Sequence, residues 1–126
     1  MAAVAAFAIG AIWYTLLFSR LWMDALGVTR EEMQAKGGSP LPFLIAIVGY
    51  LVMAWVIAVI LESIWRGSAD FGDGALAGFI LWLGFTLTTT AVNYAFPGRK
   101  AALTVIDAGG WLVIAVVMGA IIALFG

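Results

Sequence analysis

Charged and apolar positions follow one another along this chain in long blocks. Four intervals hold no charged residue at all, at positions 1–19, 37–61, 74–98 and 108–126. An α-helix needs about 20 predominantly apolar residues to cross the hydrocarbon core of a bilayer. The pattern therefore predicts an all-α, polytopic membrane protein with four transmembrane helices in an antiparallel bundle. The predicted spans, within one domain over 1–126, are 2–18, 42–61, 74–95 and 101–124.

The connections between the predicted spans carry recognisable end signals. The first, over 20–40, contains Thr29-Arg30-Glu31-Glu32, which fits a capping box and predicts a short amphipathic helix over 30–36. In the second, Ser68 is the expected N-cap of the third span. In the third, Phe96-Pro97-Gly98-Arg99 has proline and glycine where a tight turn favours them, so we expect a hairpin there.

Composition agrees with a membrane protein and excludes several functions. Hydrophobic residues make up 65% of the chain and charged residues 10%, against about 45–50% and about 25% in soluble domains. A net charge of -1 gives no reason to expect a nucleic-acid partner. The chain has no Cys and no His, the usual ligands of iron-sulfur clusters, structural zinc and haem. We therefore expect no metal and no cofactor.

Lysine and arginine are distributed unevenly among the connections. The first and third hold five of them, whereas the second holds only Arg66. By the positive-inside rule, loops 20–40 and 97–100 are predicted to be cytoplasmic and both termini to lie outside. Two interpretations of Arg99 and Lys100 stay open. In the first, these residues determine the orientation of the chain in the membrane. In the second, they bind an anionic lipid headgroup.

Asp107 is the one ionisable residue inside a predicted span. A carboxylate at the helix centre costs about 2.5–3.5 kcal/mol to insert, and such residues usually face a bundle interior or a water-filled cavity. It follows Lys100 by seven residues, which places it ~10 Å below that end of the helix. Counting to a similar depth on the other spans reaches further polar side chains. The predicted polar layer consists of Tyr14, Tyr50, Thr90, Asn93 and Asp107.

The third span has a candidate face for this layer. Trp82, Thr90 and Asn93 share one side of a regular α-helix, and we expect that side to meet Asp107. Each span also carries a tryptophan away from its ends. These are Trp13, Trp55, Trp82 and Trp111. Either they line a pocket for an apolar or cationic ligand, for which Trp13, Trp82 and Trp111 are the candidates, or they fill the core and face lipid.

Small residues recur at the spacing that lets transmembrane backbones approach closely. The pairs include Gly74 with Gly78, and Gly119 with Ala123. A single bundle of this size buries little surface, so a homo-oligomer is predicted, with another membrane protein as a possible partner beside the lipid bilayer.

Two functions remain open on these residues. The first is binding or transport of a small molecule or lipid, through a proton-linked or polar site at the layer. The alternative is a structural or accessory membrane subunit, in which the same layer serves helix packing and oligomer assembly. No nucleophile and base can be paired, so the chain is not predicted to be an enzyme.

Four stretches carry a family resemblance: Trp13-Tyr14 followed by Phe18 and Trp22-Met23, then 81–85, Asn93-Tyr-Ala-Phe-Pro-Gly-Arg99, and 106–111. Together they resemble the bacterial membrane family called domain of unknown function family 1761. The resemblance implies a four-helix protein of the bacterial cytoplasmic membrane, and it implies no biochemical activity.

The chain departs from the family pattern at two places. Thr15-Leu16 stands where Ser-Pro is common, which predicts that a kink is lost from the first helix. Asp107 stands where an amide is frequent, and this weakens the case for an obligatory proton carrier.

Overall fold

The computed structural model describes residues 2–27, 29, 31 and 40–125, and these form helices joined by short turns. Pro40 and Pro42 stand at the start of the helix Leu41–Trp65, as proline's fixed φ favours. The predicted amphipathic helix over 30–36 falls almost wholly outside the described residues. The helices are α1 (Ala2–Leu17), α2 (Ser19–Leu26), α3 (Leu41–Trp65), α4 (Phe71–Ala95) and α5 (Ala101–Phe125).

Three of these helices are long and apolar enough to cross a membrane. They are α3, α4 and α5, and the bent pair α1 and α2 makes a fourth span if the pair is counted as one. Most of the surface of α3 and α4 is exposed and apolar, which suits contact with lipid. The described chain is therefore all-α, with three candidate membrane-spanning helices.

Helix α5 occupies the centre of the molecule, because it packs against every other helix. Ten of its residues are buried, among them Leu103, Asp107 and Met118. One apolar cluster surrounds Met118 and joins α1, α3 and α4 to the second half of α5. A smaller cluster joins Ala25 of α2 to Leu103 and Ile106 near the beginning of α5.

Glycines bring α4 and α5 into direct backbone contact. A Cβ atom added at Gly74 would lie 2.1 Å from the carbonyl oxygen of Gly119, and one added at Gly78 would lie 2.1 Å from that of Ala115. Any side chain at these positions would push the helices apart. The predicted close approach at Gly74 and Gly78 is confirmed, and the surface it meets includes Gly119 and Ala123.

Helix α1 ends in an irregular turn and a sharp bend follows it, while the loss of a kink within α1 itself stays a prediction. Its last turn, Trp13–Leu17, is π-helical, and the Phe18 amide donates to the Trp13 carbonyl at 2.9 Å. The Thr15 hydroxyl bonds to the Ala11 carbonyl, which is the kind of side-chain contact that bends a helix. The chain then turns by 81° into α2.

The start of α4 also differs from the prediction. Asp70, not Ser68, is the N-cap. Its side chain accepts from the Asp73 amide at 2.9 Å, while Asp73 accepts from the Asp70 amide at 3.1 Å. A carboxylate at each position also suits the positive end of the helix dipole. The Ser68 hydroxyl instead bonds to the Trp65 carbonyl.

Candidate functional site

Asp107 is held by tyrosines from two other helices. The Tyr14 hydroxyl donates to Oδ1 at 2.6 Å, and the Tyr94 hydroxyl donates to Oδ2 at 2.5 Å. The aspartate is only 7% exposed. Among the described residues, no lysine or arginine pairs with its carboxylate. Both oxygens therefore have neutral partners, and no cation compensates the charge of the ionised form.

Two tryptophans bond to the backbone on either side of this aspartate. The Trp13 indole donates to the Ile106 carbonyl at 2.8 Å, and the Trp82 indole donates to the Ala108 carbonyl at 2.7 Å. These carbonyls belong to α5 and already accept hydrogen bonds from amides of the same helix. Each indole therefore supplies a second donor to its carbonyl. One short segment of α5 thus receives four hydrogen bonds from α1 and α4.

The sequence after Asp107 makes room for one of these rings. Gly109 and Gly110 lie directly under the Trp13 indole, and a Cβ atom at either would come within 3.1 Å of a ring atom. The glycines therefore let the Trp13 ring lie flat enough on α5 to reach the Ile106 carbonyl. They explain why a Gly-Gly pair interrupts an otherwise favourable helix sequence.

A π-helical stretch decides which residues of α4 reach the site. In a regular α-helix, Trp82 shares its face with Asn93. The stretch Trp82–Leu87 is π-helical, and its wider turns shift the face by one residue, from Asn93 to Tyr94. Trp82 and Tyr94 consequently both point to α5, at Ala108 and Asp107.

The turn after α4 fixes the position of Tyr94. The Arg99 amide donates to the Tyr94 carbonyl at 2.9 Å, and the Gly98 amide donates to the Ala95 carbonyl at 3.1 Å. This pair of bonds is a Schellman motif, which requires a left-handed residue, and Gly98 has φ of 71°. The predicted tight turn is present, and α4 ends at Ala95, one residue beyond the tyrosine.

Aromatic side chains of the bend after α1 cover the cluster. The Trp22 ring lies 5.1 Å from that of Tyr14 in an edge-on arrangement, and the Phe18 ring lies 4.5 Å from that of Trp13. The 81° turn into α2 brings Trp22 back over Tyr14. The surroundings of Asp107 are therefore aromatic as well as apolar.

Two of the predicted layer residues lie apart from Asp107 on α4. Thr90 is half-buried and Asn93 is exposed, and neither hydrogen-bonds to Asp107. The prediction assumed a regular α-helix, and the π-helical stretch rotates Asn93 away. Tyr94, which sequence reasoning did not select, takes the position instead. The only sequence signal for Tyr94 was its place in the Asn-Tyr stretch of the family resemblance.

Tyr50 lies further from the α4–α5 turn than the Asp107 cluster does. Its side chain is buried, with the hydroxyl against Gly10, where a Cβ atom would lie 3.0 Å from it. Its ring lies 5.8 Å from that of Trp111, one helical turn beyond Asp107. The Tyr50 hydroxyl has no hydrogen-bond partner among the described residues. Tyr50 and Trp111 thus form a second layer next to the Asp107 cluster.

Arg99 and Lys100 are exposed, at the end of the molecule nearest to Asp107. The Lys100 ammonium donates to the backbone carbonyl of Asp24 at 3.2 Å, which ties the turn to α2. No group of three or more metal-ligating side chains occurs in the described part of the chain. The chemistry that the site offers is one carboxyl, two phenol hydroxyls and aromatic faces.

Replacing Trp82 by phenylalanine should destabilise the fold by about 1 kcal/mol, because a smaller aromatic ring remains but the indole donor to the Ala108 carbonyl is removed. Titration with sodium dodecyl sulfate in mixed micelles, followed by circular dichroism, measures the change. Trp55→Phe is the matched control, since Trp55 is 67% exposed on α3. Equal effects of the two substitutions would show that the indole bond contributes nothing.

The comparisons with known proteins give a family and no more. No curated protein and no solved structure matches the chain. The model of one family matches residues 1–123, and that family is described as "Protein of unknown function". The match includes Trp13, Tyr14, Trp82, Tyr94 and Asp107, so the whole cluster lies inside it. On this match the chain belongs to the family of proteins of unknown function DUF1761.

Proposed function

We propose that this protein binds a small cationic molecule at Asp107 and exchanges it with one side of the membrane. The observation that supports this is a buried carboxyl whose two oxygens bond only to tyrosine hydroxyls. A carboxylate without a counter-ion in apolar surroundings is costly, and a bound cation lowers that cost. On this proposal the protein is a binding protein or transporter and not an enzyme.

The aromatic surroundings favour an organic cation. Trp13, Tyr14, Trp82 and Tyr94 surround Asp107, and the faces of such rings attract ammonium groups and other cations. To admit a cation, the Tyr14 and Tyr94 side chains would have to rotate about their χ angles, since their hydroxyl oxygens lie 2.6 and 2.5 Å from the carboxyl oxygens. A cation that replaced them would pair the carboxylate, and on its release the hydroxyls would return to the carboxyl oxygens.

The direction of exchange follows from where polar groups lie. Tyr94 is close to the α4–α5 turn, and Asp107 follows the beginning of α5 by less than two helical turns. Beyond Asp107, α5 has no charged residue, and its second half is in backbone contact with α4 at Gly74 and Gly78. We therefore assign access to the end with the α4–α5 turn.

The proposed topology has four spans, with α1 crossing the membrane and α2 lying at its surface. The bundle is antiparallel, and the end with Arg99 and Lys100 is cytoplasmic by the positive-inside rule. Both termini then lie outside, in a bacterial cytoplasmic membrane. The exposed faces of α3 and α4 meet lipid or a second copy of the chain.

A second candidate function is that of a structural or accessory subunit. It is favoured by the completeness of the hydrogen bonding, since no fully enclosed side-chain nitrogen or oxygen lacks a partner in the described residues. The cluster also joins α1 and α4 to α5. On this alternative Asp107 serves assembly of the helices and of a larger membrane complex.

Cation binding separates the two candidates. Purified protein in mild detergent should bind the tetraphenylphosphonium ion, measured by calorimetry. Asp107→Asn should abolish the binding, because an amide carries no negative charge, yet it can still accept from one tyrosine and donate to the other.

The fold of the Asp107→Asn variant serves as its own control through circular dichroism and size-exclusion chromatography. A wild-type protein that does not bind the ion contradicts the proposal. An asparagine variant that binds as well as the wild type contradicts it too. Loss of the folded or assembled state in this variant would instead support the structural alternative.

A further inference from the structure

A groove of about 350 Å³ lies between the end of α2 and the α4–α5 turn. It is separate from the Asp107 cluster, since none of the four side chains that bond around Asp107 lines it. One wall is the last turn of α2 and the glycine after it. The other is the turn itself. The lining residues are Ala25, Leu26, Gly27, Pro97, Gly98, Arg99 and Lys100.

Contacts on both walls hold the groove open. Ala25 is buried against Leu103 and Ile106 of α5, which fixes the position of α2. The Lys100 ammonium bonds to the Asp24 carbonyl at 3.2 Å, which connects the two walls. The Schellman motif fixes the backbone at Gly98. The shape therefore does not depend on a ligand.

The groove is positively charged, and it lies at the level of the membrane where lipid headgroups are expected. Among the residues that the structure describes, Arg99 and Lys100 are the only charged ones that line the groove, and no carboxylate does. They stand between the end of the apolar helix α4 at Ala95 and the beginning of α5 at Ala101. Two apolar neighbours, Leu26 and Pro97, lie beside the two cations. This combination fits a phosphate that is attached to a hydrocarbon chain.

We propose that this groove binds the phosphate headgroup of an anionic phospholipid. The Arg99 guanidinium has the planar donor geometry that phosphate oxygens prefer, and Lys100 adds a second positive charge. Leu26 and Pro97 contact the glycerol and the first methylenes of the lipid. The membrane itself supplies the occupant at this depth.

Lipid binding can be measured by native mass spectrometry of the full chain. The detergent-solubilised protein should bind one dioleoyl phosphatidylglycerol in preference to dioleoyl phosphatidylcholine. The double variant Arg99→Gln/Lys100→Gln should lower the affinity for phosphatidylglycerol about tenfold or more, because it removes both attractive charges. The matched control, Arg20→Gln/Arg66→Gln, removes the same charge from exposed positions outside the groove and should bind like the wild type.

Three results would overturn the proposal. One is a double variant that keeps its affinity, and another is a control variant that loses as much, which would show a general effect of net charge. The third is displacement of the lipid by millimolar inorganic phosphate, which would make free phosphate the ligand. The single variants Arg99→Gln and Lys100→Gln give the same comparison if the double variant folds poorly. Asp107→Asn should keep the lipid, so this proposal and the proposed function fail separately.

Discussion

Replacing Gly78 by alanine should destabilise the protein by about 3 kcal/mol, the largest effect we expect from adding a single methyl group. The new Cβ atom would lie 2.1 Å from the Ala115 carbonyl oxygen and 3.1 Å from the Val116 Cα. Both are backbone atoms of a regular helix, so no side chain can rotate to make space. Helices α4 and α5 would have to separate along the contact that also contains Gly74 and Gly119.

Gly84→Ala on the same helix is the matched control. Nothing lies within 4 Å of a Cβ atom there, so the substitution meets no neighbour. Alanine also has the higher helix propensity, by about 0.8–1.0 kcal/mol, so Gly84→Ala should leave stability unchanged or raise it. Unfolding by sodium dodecyl sulfate in mixed micelles measures both variants. Similar curves for the two would mean that the close approach of the backbones does not stabilise the molecule.

The sequence predicted the helices well because their signals are long and redundant. Each charge-free interval lies largely within one helix, and the helix ends at Leu41, Ala95 and Ala101 lie within a few residues of the predicted ones. The pair of small residues Gly74 and Gly78 predicted a close helix contact for a related reason. The two glycines are four residues apart in a regular α-helical segment, so they lie on one face of α4. Signals of this kind do not depend on the rest of the fold.

Predictions that depended on one residue of register were less successful. The choice of Asn93 over Tyr94 assumed regular α-helix through Trp82–Leu87, where the structure is π-helical. The pattern of apolar residues does not distinguish Asn93 from Tyr94, because apolar residues occur on every side of this helix. In α1 the same kind of turn lets two consecutive residues, Trp13 and Tyr14, both reach α5. The site is therefore built on two irregularities that sequence periodicity does not reveal.

Replacing Asp107 by leucine should destabilise the bundle by about 3 kcal/mol. Leucine has the same branching at Cγ but is larger and accepts no hydrogen bond, so the Tyr14 and Tyr94 hydroxyls lose their common partner. A buried hydroxyl left unpaired costs about 1–3 kcal/mol, and because these two are part-buried we expect each cost to lie in the lower part of that range, which gives about 3 kcal/mol for the pair. The same unfolding titration measures the loss. A leucine variant as stable as the wild type would show that the two tyrosine bonds add nothing to packing.

A triple variant tests whether the unpaired hydroxyls are the cause. Asp107→Leu combined with Tyr14→Phe and Tyr94→Phe removes acceptor and donors together, so we expect it to recover most of the lost stability, since the rings keep their packing. It should not recover tetraphenylphosphonium binding, because no carboxyl remains. Stability and cation binding would then depend on different properties of one residue. If the triple variant stays as unstable as the single one, the loss comes from the shape of leucine and the hydrogen-bond argument is wrong.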